Sequence, residues 1–184
     1  MLSSTQTFTN PLPYHLLSYG TLLGTEIYQS FILTKVAFQS LPSREFLLLQ
    51  KRLFPVYFRT QVGLAFLTAV TRPRPPSLPV SSISQTWGQT AWGVAPLVIV
   101  SVAGLLNWLV YGPGSSRTGA VRYLLQEAKR NPDKGDKPVD EETMKKANRE
   151  FSRYHAMSIH SNLVALLATV WYIFDLAGDL SFAQ

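Results

Sequence analysis

The chain contains no cysteine. Disulfides, thiolate metal sites and cysteine nucleophiles are therefore excluded, and the compartment cannot be read from cysteine usage. Charge is also scarce. Asp, Glu, Lys and Arg make up 15% of the 184 residues, against roughly 25% in an ordinary soluble domain. The scarcity is uneven. Residues 117–153 hold ten of the seventeen Lys and Arg and seven of the eleven Asp and Glu, which leaves the rest almost free of charge over long runs. That distribution excludes a soluble globular enzyme and a disordered tail. It points to an integral membrane protein with one polar loop. No Ser-His-Asp set, P-loop or glycine-rich phosphate motif occurs, and there is no internal repeat.

What is present is apolar length. A helix crosses the bilayer core with roughly 20 apolar residues, and four segments reach it, at about 12–37, 53–71, 86–111 and 155–177. The expected fold is therefore all-α: a single four-transmembrane-helix bundle with a short interfacial helix and a polar helical cytosolic loop over about 112–154. Aromatic residues stand near the segment ends, as at a headgroup belt. Tyr14, Tyr19, Trp87, Trp92, Trp171 and Tyr172 fall at one level, and Tyr57, Phe58, Trp108, Tyr111 and Tyr154 at the other.

Four crossings put both termini on one side. The first and third connections carry fourteen cations, and the opposite side has only Arg72 and Arg74. Positive-inside bias then makes those connections cytosolic and both termini lumenal or extracellular. The net charge of +6 needs no nucleic acid to explain it. Anionic lipid on the cytosolic side is a sufficient partner, with Arg44, Lys51 and Arg52 as headgroup contacts. The first ten residues carry no Lys or Arg, so a signal peptide is not expected. Absence of Arg before residue 13 also weighs against mitochondrial targeting.

The connections have their own grammar. Leu41-Pro42 should end the first helix, because Pro42 cannot continue the hydrogen-bond ladder, with Ser43 as N-cap of the next. Phe46, Leu49 and Leu53 repeat at i, i+3, i+7, the stripe of an interfacial helix, followed by a turn or kink at Phe54-Pro55. Residues 72–85 are proline- and serine-rich and read as a stiff extended loop. Residues 112–119, rich in Gly and Ser, read as flexible, with a helix from Gly119 to a break over 131–138. Another polar helix begins near Asp140, with Glu141 and Glu142 favoured by the dipole in its first turn. It meets no breaker before the fourth crossing and is expected to run into it.

Ionisable side chains within a crossing are costly and default to a functional hypothesis. Glu26 stands in the first segment, Arg59 in the second, Asn107 near the cytosolic end of the third. His155, Ser158 and Asn162 share a face of the fourth at i, i+3, i+7. These six form an expected polar intramembrane cluster with Glu26 balancing Arg59. Such groups serve more often as glue between helices than as a substrate or ion path. Gly20 and Gly24 form a small-xxx-small pair that permits close helix contact. His15 and His155 should stand at opposite ends of a ~30 Å core, and His155 and His160 do not share a face. No metal-ligand spacing is met, and no cofactor is expected.

Three stretches together resemble the transmembrane protein 205-like family. One runs from His15-Leu16-Leu17 through Gly24 and Phe31 to Phe38 and Leu41-Pro42. It continues in Phe46, Gln50, Leu53-Phe54-Pro55 and Tyr57-Phe58. The last comprises Phe151, Arg153-Tyr154-His155, Ser158 and Asn162-Leu163, and Asn107 is similar to the family's Asn at the end of the third helix. The resemblance implies a four-helix membrane protein of unsettled activity, in an endomembrane or plasma membrane. It adds His15, Gln50, Pro55, Tyr57, Arg153 and Tyr154 to the candidate residues. Relatives carry a neutral amide where Glu26 stands, which weighs against an obligatory proton carrier there.

Three functions compete. A small transport or efflux component, or an accessory membrane subunit, fits the polar residues; four helices wall a pore thinly, so it would act as a homodimer or within a larger complex. A haem- or metal-handling redox protein would use His155 as ligand. A structural or lipid-organising protein would use the cytosolic cations. The first is preferred.

Overall fold

The computed structural model describes residues 10–72, 83–131 and 139–181, without the side chains of 83–91 and 179–181. Every regular element in them is helical: α1 Pro11–Ile27, a π-helical segment Tyr28–Leu33, α2 Thr34–Ser40, α3 Ser43–Val70, α4 Ile83–Leu106, a second π-helical segment Asn107–Tyr111, α5 Gly112–Arg130 and α6 Glu141–Ser181. Three stretches, Ser43–Val70, Trp92–Arg130 and Glu141–Gly178, are long and apolar enough to cross a membrane. α1 is shorter, at 17 residues, and its helical path continues through the π segment into α2.

Surface and interior are inverted relative to a soluble protein. Leu17, Phe31, Phe66 and Phe174 are 70%, 59%, 65% and 72% exposed, while His15, Glu26, Thr68 and Asn107 are fully buried. An apolar exterior this extensive requires an apolar environment, and buried polar groups then bond to one another.

α6 packs on α4 and α5, α3 packs on α1 and α4, and α1 touches α6, so the long helices enclose one core. Its centre joins Tyr19, Leu22, Leu97, Val100, Tyr172 and Leu176 with Ala65, Ala103, Ala165 and Ala168. Alanines at these contacts let the helix axes approach closely, the main source of association where lipid competes for apolar surface.

Several local expectations are revised. Leu41 does end α2 in an extended conformation, but the N-cap of α3 is Pro42, with Ser43 in the first turn and no side-chain cap. The interfacial helix and the second crossing are one helix that passes through Pro55 without a turn. Proline costs one N–H and frees the carbonyl four residues back, which apolar helices tolerate when neighbours support them. Residues 112–119 are helical from Gly112 onward. Glycine is used there for close approach: a Cβ on Gly114 would run into the Tyr154 ring, and one on Gly119 would crowd Phe151. Gly20 and Gly24 are exposed, with no neighbour among the described residues within 4 Å of where a Cβ would stand. Tyr19, Tyr57, Phe58 and Tyr172 are buried rather than set in a belt, whereas Tyr14, Trp92 and Trp171 are exposed. α4 starts at Ile83, inside the stretch read as loop; 73–82 and 132–138 lie outside the described residues, as does Arg74. α6 runs unbroken from the polar region into the apolar one.

Asp140 begins α6. Its Oδ1 accepts from the Thr143 N–H at 2.6 Å. Hydrogen bonds from Thr143 hold its carboxyl below the ordinary carboxylate range. A lowered folded value means that the contribution of this cap is present above the ordinary range and is lost as pH falls through the lowered value. The hydrogen-exchange protection of the Thr143 amide should therefore fall on acidification, and Asp140→Ala should show the same loss at neutral pH. Equal protection in both proteins would remove the cap. Gly114→Leu should lower stability by about 1–3 kcal/mol through overpacking, read as thermal unfolding in mild detergent.

Candidate functional site

One face of α3 organises the interior. Gln50, Tyr57, Gln61 and Thr68 are all buried and are spaced seven, four and seven residues apart, which keeps them on one side of a helix. At 1.5 Å per residue the stripe rises ~27 Å, close to the ~30 Å of a hydrocarbon core. α1 and α6 supply most of its partners.

The tier at Thr68 centres on His15. The His15 Nδ1 lies 2.9 Å from the Thr68 carbonyl, and its Nε2 lies 3.1 Å from the Tyr172 hydroxyl. A carbonyl only accepts, so Nδ1 carries the proton, and Nε2 accepts from Tyr172 when the ring is neutral. The Thr68 hydroxyl lies 3.2 Å from that of Ser18, and the Tyr19 hydroxyl donates to the Thr169 carbonyl at 3.1 Å. At the rim, Arg72 pairs with Asp175 at 2.8 Å and lies over the Tyr172 ring at 5.4 Å. This ion pair ties the end of α3 to α6.

The middle tier holds Glu26 and Gln61. The Gln61 amide Nε2 donates to Glu26 Oε1 at 2.7 Å. Glu26 Oε2 and Gln61 Oε1 are buried without a hydrogen-bond partner. Thr169 stands beside the carboxyl, and its hydroxyl donates to the Ala165 carbonyl at 3.1 Å. A neutral carboxylic acid, which both accepts and donates, matches these surroundings; an isolated carboxylate would bear a heavy desolvation cost.

The next tier is a relay between helices. Tyr57 donates to Asn162 Oδ1 at 2.9 Å, and Asn162 Nδ2 donates to Ser30 Oγ at 2.9 Å. Asn107 Nδ2 reaches the Ser158 carbonyl at 3.3 Å, while its Oδ1 is buried and unpartnered. Both π-helical segments begin at or beside a polar residue of this region: the Thr34 N–H bonds to Gln29 O, and the Gly112 N–H bonds to Asn107 O. Single π turns widen a helix locally and recur at functional sites. Gln50 ends the stripe with both amide atoms buried and unpartnered.

Of the six residues expected to cluster, Asn107 meets the Ser158 carbonyl inside the bundle, while Asn162 bonds to Tyr57 and Ser30 instead. Glu26 is inside as well, but its partner is Gln61 and not Arg59. The Arg59 side chain is exposed; its Nε donates to the Pro55 carbonyl at 2.9 Å and its guanidinium lies 6.0 Å from the Trp108 ring. A long cationic side chain can leave the core in this way, which a neutral-amide partner makes possible. His155 faces outward, stacked on Phe151 at 5.1 Å, whose ring also meets Arg122 at 4.9 Å. Arg153 is exposed and Tyr154 half-buried, bordering a cleft with Arg117 and Glu150. Arg44, Lys51 and Arg52 are exposed on α3. Among the described residues no group of three or more His, Asp or Glu is placed to hold a metal, and both nitrogens of His15 are already engaged.

Sequence reasoning passed over Gln61, Thr68, Tyr172 and Ser18. The seven-four-seven spacing of polar residues along α3 was the available signal. Glu26→Gln should be nearly neutral in stability, since the amide oxygen still accepts from Gln61. Glu26→Leu should cost roughly 1–3 kcal/mol, the penalty of an unpaired buried donor, with much of it recovered in Glu26→Leu/Gln61→Leu. Thermal unfolding of the variants in one detergent tests this; a large loss in Glu26→Gln would contradict the neutral acid.

Residues 17–123 match the family described as "Domain of unknown function (DUF4149)". The chain is 48% identical over 175 residues to "Xanthocillin biosynthesis cluster protein D" of Aspergillus fumigatus, an alignment covering 95% of this chain and 94% of that protein. No solved structure matches it. The chain is thus a membrane protein of unknown function that belongs to the DUF4149 domain family.

Proposed function

We propose that this protein is a four-crossing membrane component, with both termini lumenal or extracellular, acting as a small transport or accessory subunit beside a biosynthetic pathway. The observation that carries the reading is the buried polar stripe on α3, which runs close to the thickness of a bilayer, with unpartnered oxygens on it at Gln61 and Gln50 and beside it at Asn107. A protein needing only cohesion gains nothing from burying acceptors it leaves unsatisfied. The helical path from α1 through the π segment into α2, from Pro11 to Ser40, supports a fourth crossing. The finer likeness to the transmembrane protein 205-like family supports the same count.

Orientation follows the positive-inside reading, and Arg44, Lys51 and Arg52 meet anionic headgroups. Four helices wall a path thinly, so a second copy or a partner completes it. The relative's name places that protein in a xanthocillin biosynthesis cluster, which suits a membrane component that carries or accommodates a small product or precursor.

Deleting the protein in its host separates the two roles. For transport, at least one small metabolite should shift between medium and cells while its total stays constant, and Gln61→Leu or Thr68→Val should reproduce the shift with the protein still inserted. A changed total with an unchanged distribution supports the accessory role. If neither quantity moves, the proposal fails.

A further inference from the structure

The stripe leaves one feature unused: a groove of about 210 Å³ between α3 and the start of α5. Phe54, Pro55, Phe58, Trp108 and Pro113 line it, together with the exposed Lys51 and Arg117. On α3 the order is Lys51, then Pro55 one turn on and Phe58 two turns on. On α5, which leaves the bundle where α3 enters it, Pro113 comes first and Arg117 one turn later. Two antiparallel helices thus present the same polarity at the same level: cations outermost, apolar rings below.

Both cations are exposed, and neither forms an ion pair with a described carboxylate. Arg117 also borders the neighbouring cleft that contains Glu150 and Arg153, so local charge there is mixed with a basic excess. At the inner end stands Asn107, whose buried Oδ1 lacks a donor. Pro55 adds to this, because its missing N–H leaves the Lys51 carbonyl without its ordinary helical donor.

We infer that this groove is a seat for one anionic phospholipid, its phosphate held by Lys51 and Arg117 and the upper part of an acyl chain lying on Phe54, Phe58 and Trp108. An inorganic anion would use the cations and leave the aromatic walls bare. A zwitterionic lipid would use the walls but bring its own cation with the phosphate, and so leave the basic excess of the groove uncompensated. Only an amphiphile with a negative head matches both. The inference needs these helices to lie in a bilayer and does not need the protein to transport anything.

Trp108 is a built-in reporter. The full chain with Trp87→Phe, Trp92→Phe and Trp171→Phe retains it as sole tryptophan. In phosphatidylcholine vesicles, a small fraction of brominated phosphatidylglycerol should quench Trp108 saturably, and several-fold more per mole than brominated phosphatidylcholine. Lys51→Gln and Arg117→Gln should each weaken the preference about fivefold, as expected for one basic residue near an anionic head, and Lys129→Gln, whose side chain does not line the groove, should leave it intact. Ser116→Phe, which fills the groove without touching a cation, should abolish the saturable component; it keeps the test valid if the charge variants insert poorly. Equal quenching by both lipids, or a preference untouched by Arg117→Gln and Ser116→Phe, would overturn the seat. Displacement of the quencher by inorganic phosphate would assign the cations to a free anion instead and would also overturn it.

Discussion

A bilayer offers no water to the polar groups it surrounds, so each must find a protein partner or leave the hydrocarbon. The interior of this bundle is arranged around that constraint. His15 uses both ring nitrogens, on the Thr68 carbonyl and the Tyr172 hydroxyl, and Tyr57, Asn162 and Ser30 form a chain across three segments. Arg59, exposed on the outer face of α3, donates to the Pro55 carbonyl. Apolar side chains, which compete equally well for lipid and for protein, cannot by themselves determine which faces meet. The polar stripe on α3 does so, because shifting α1 or α6 by one turn would separate these pairs.

Small residues let that stripe be reached. Ala65, Ala103, Ala165 and Ala168 are buried in the core, which brings the helices near enough for short side chains such as Ser30 and Ser161 to bond across; the Ser161 hydroxyl meets the Ala103 carbonyl at 3.2 Å. The two π-helical segments work to the same end. Each adds a residue to a turn, and each lies beside a buried amide, Gln29 or Asn107. At the basic end, Gly114 and Gly119 seat Tyr154 and Phe151, so α5 can fold back along α6 and present Arg117 beside α3.

Glu26 illustrates how chemistry follows from packing. Its carboxyl faces an amide donor and a threonine oxygen, with no cation bonded to it among the described residues. An uncharged acid is nearly isosteric with glutamine. Such a site asks for a neutral donor–acceptor group rather than for a charge.

The sequence by itself determined the chemical class of the protein's surroundings. Long stretches without charge demand an apolar environment, Leu41-Pro42 demands a break, and the lack of a breaker after Asp140 demands one continuous helix; each follows from local chemistry. Helical spacing also showed that Ser158 and Asn162 share a face. Partner identity was left to tertiary structure. A periodic pattern says which residues point the same way, not which helix stands opposite, so Glu26 could be matched to Arg59 by charge when packing had given it Gln61. Nor could composition distinguish a flexible glycine-rich link from a helix that uses glycine for contact, since that depends on Tyr154 and Phe151 arriving from α6. The groove beside Trp108 has the same origin: its two cations stand 66 positions apart in the chain, and only the antiparallel course of α3 and α5 brings them to one level.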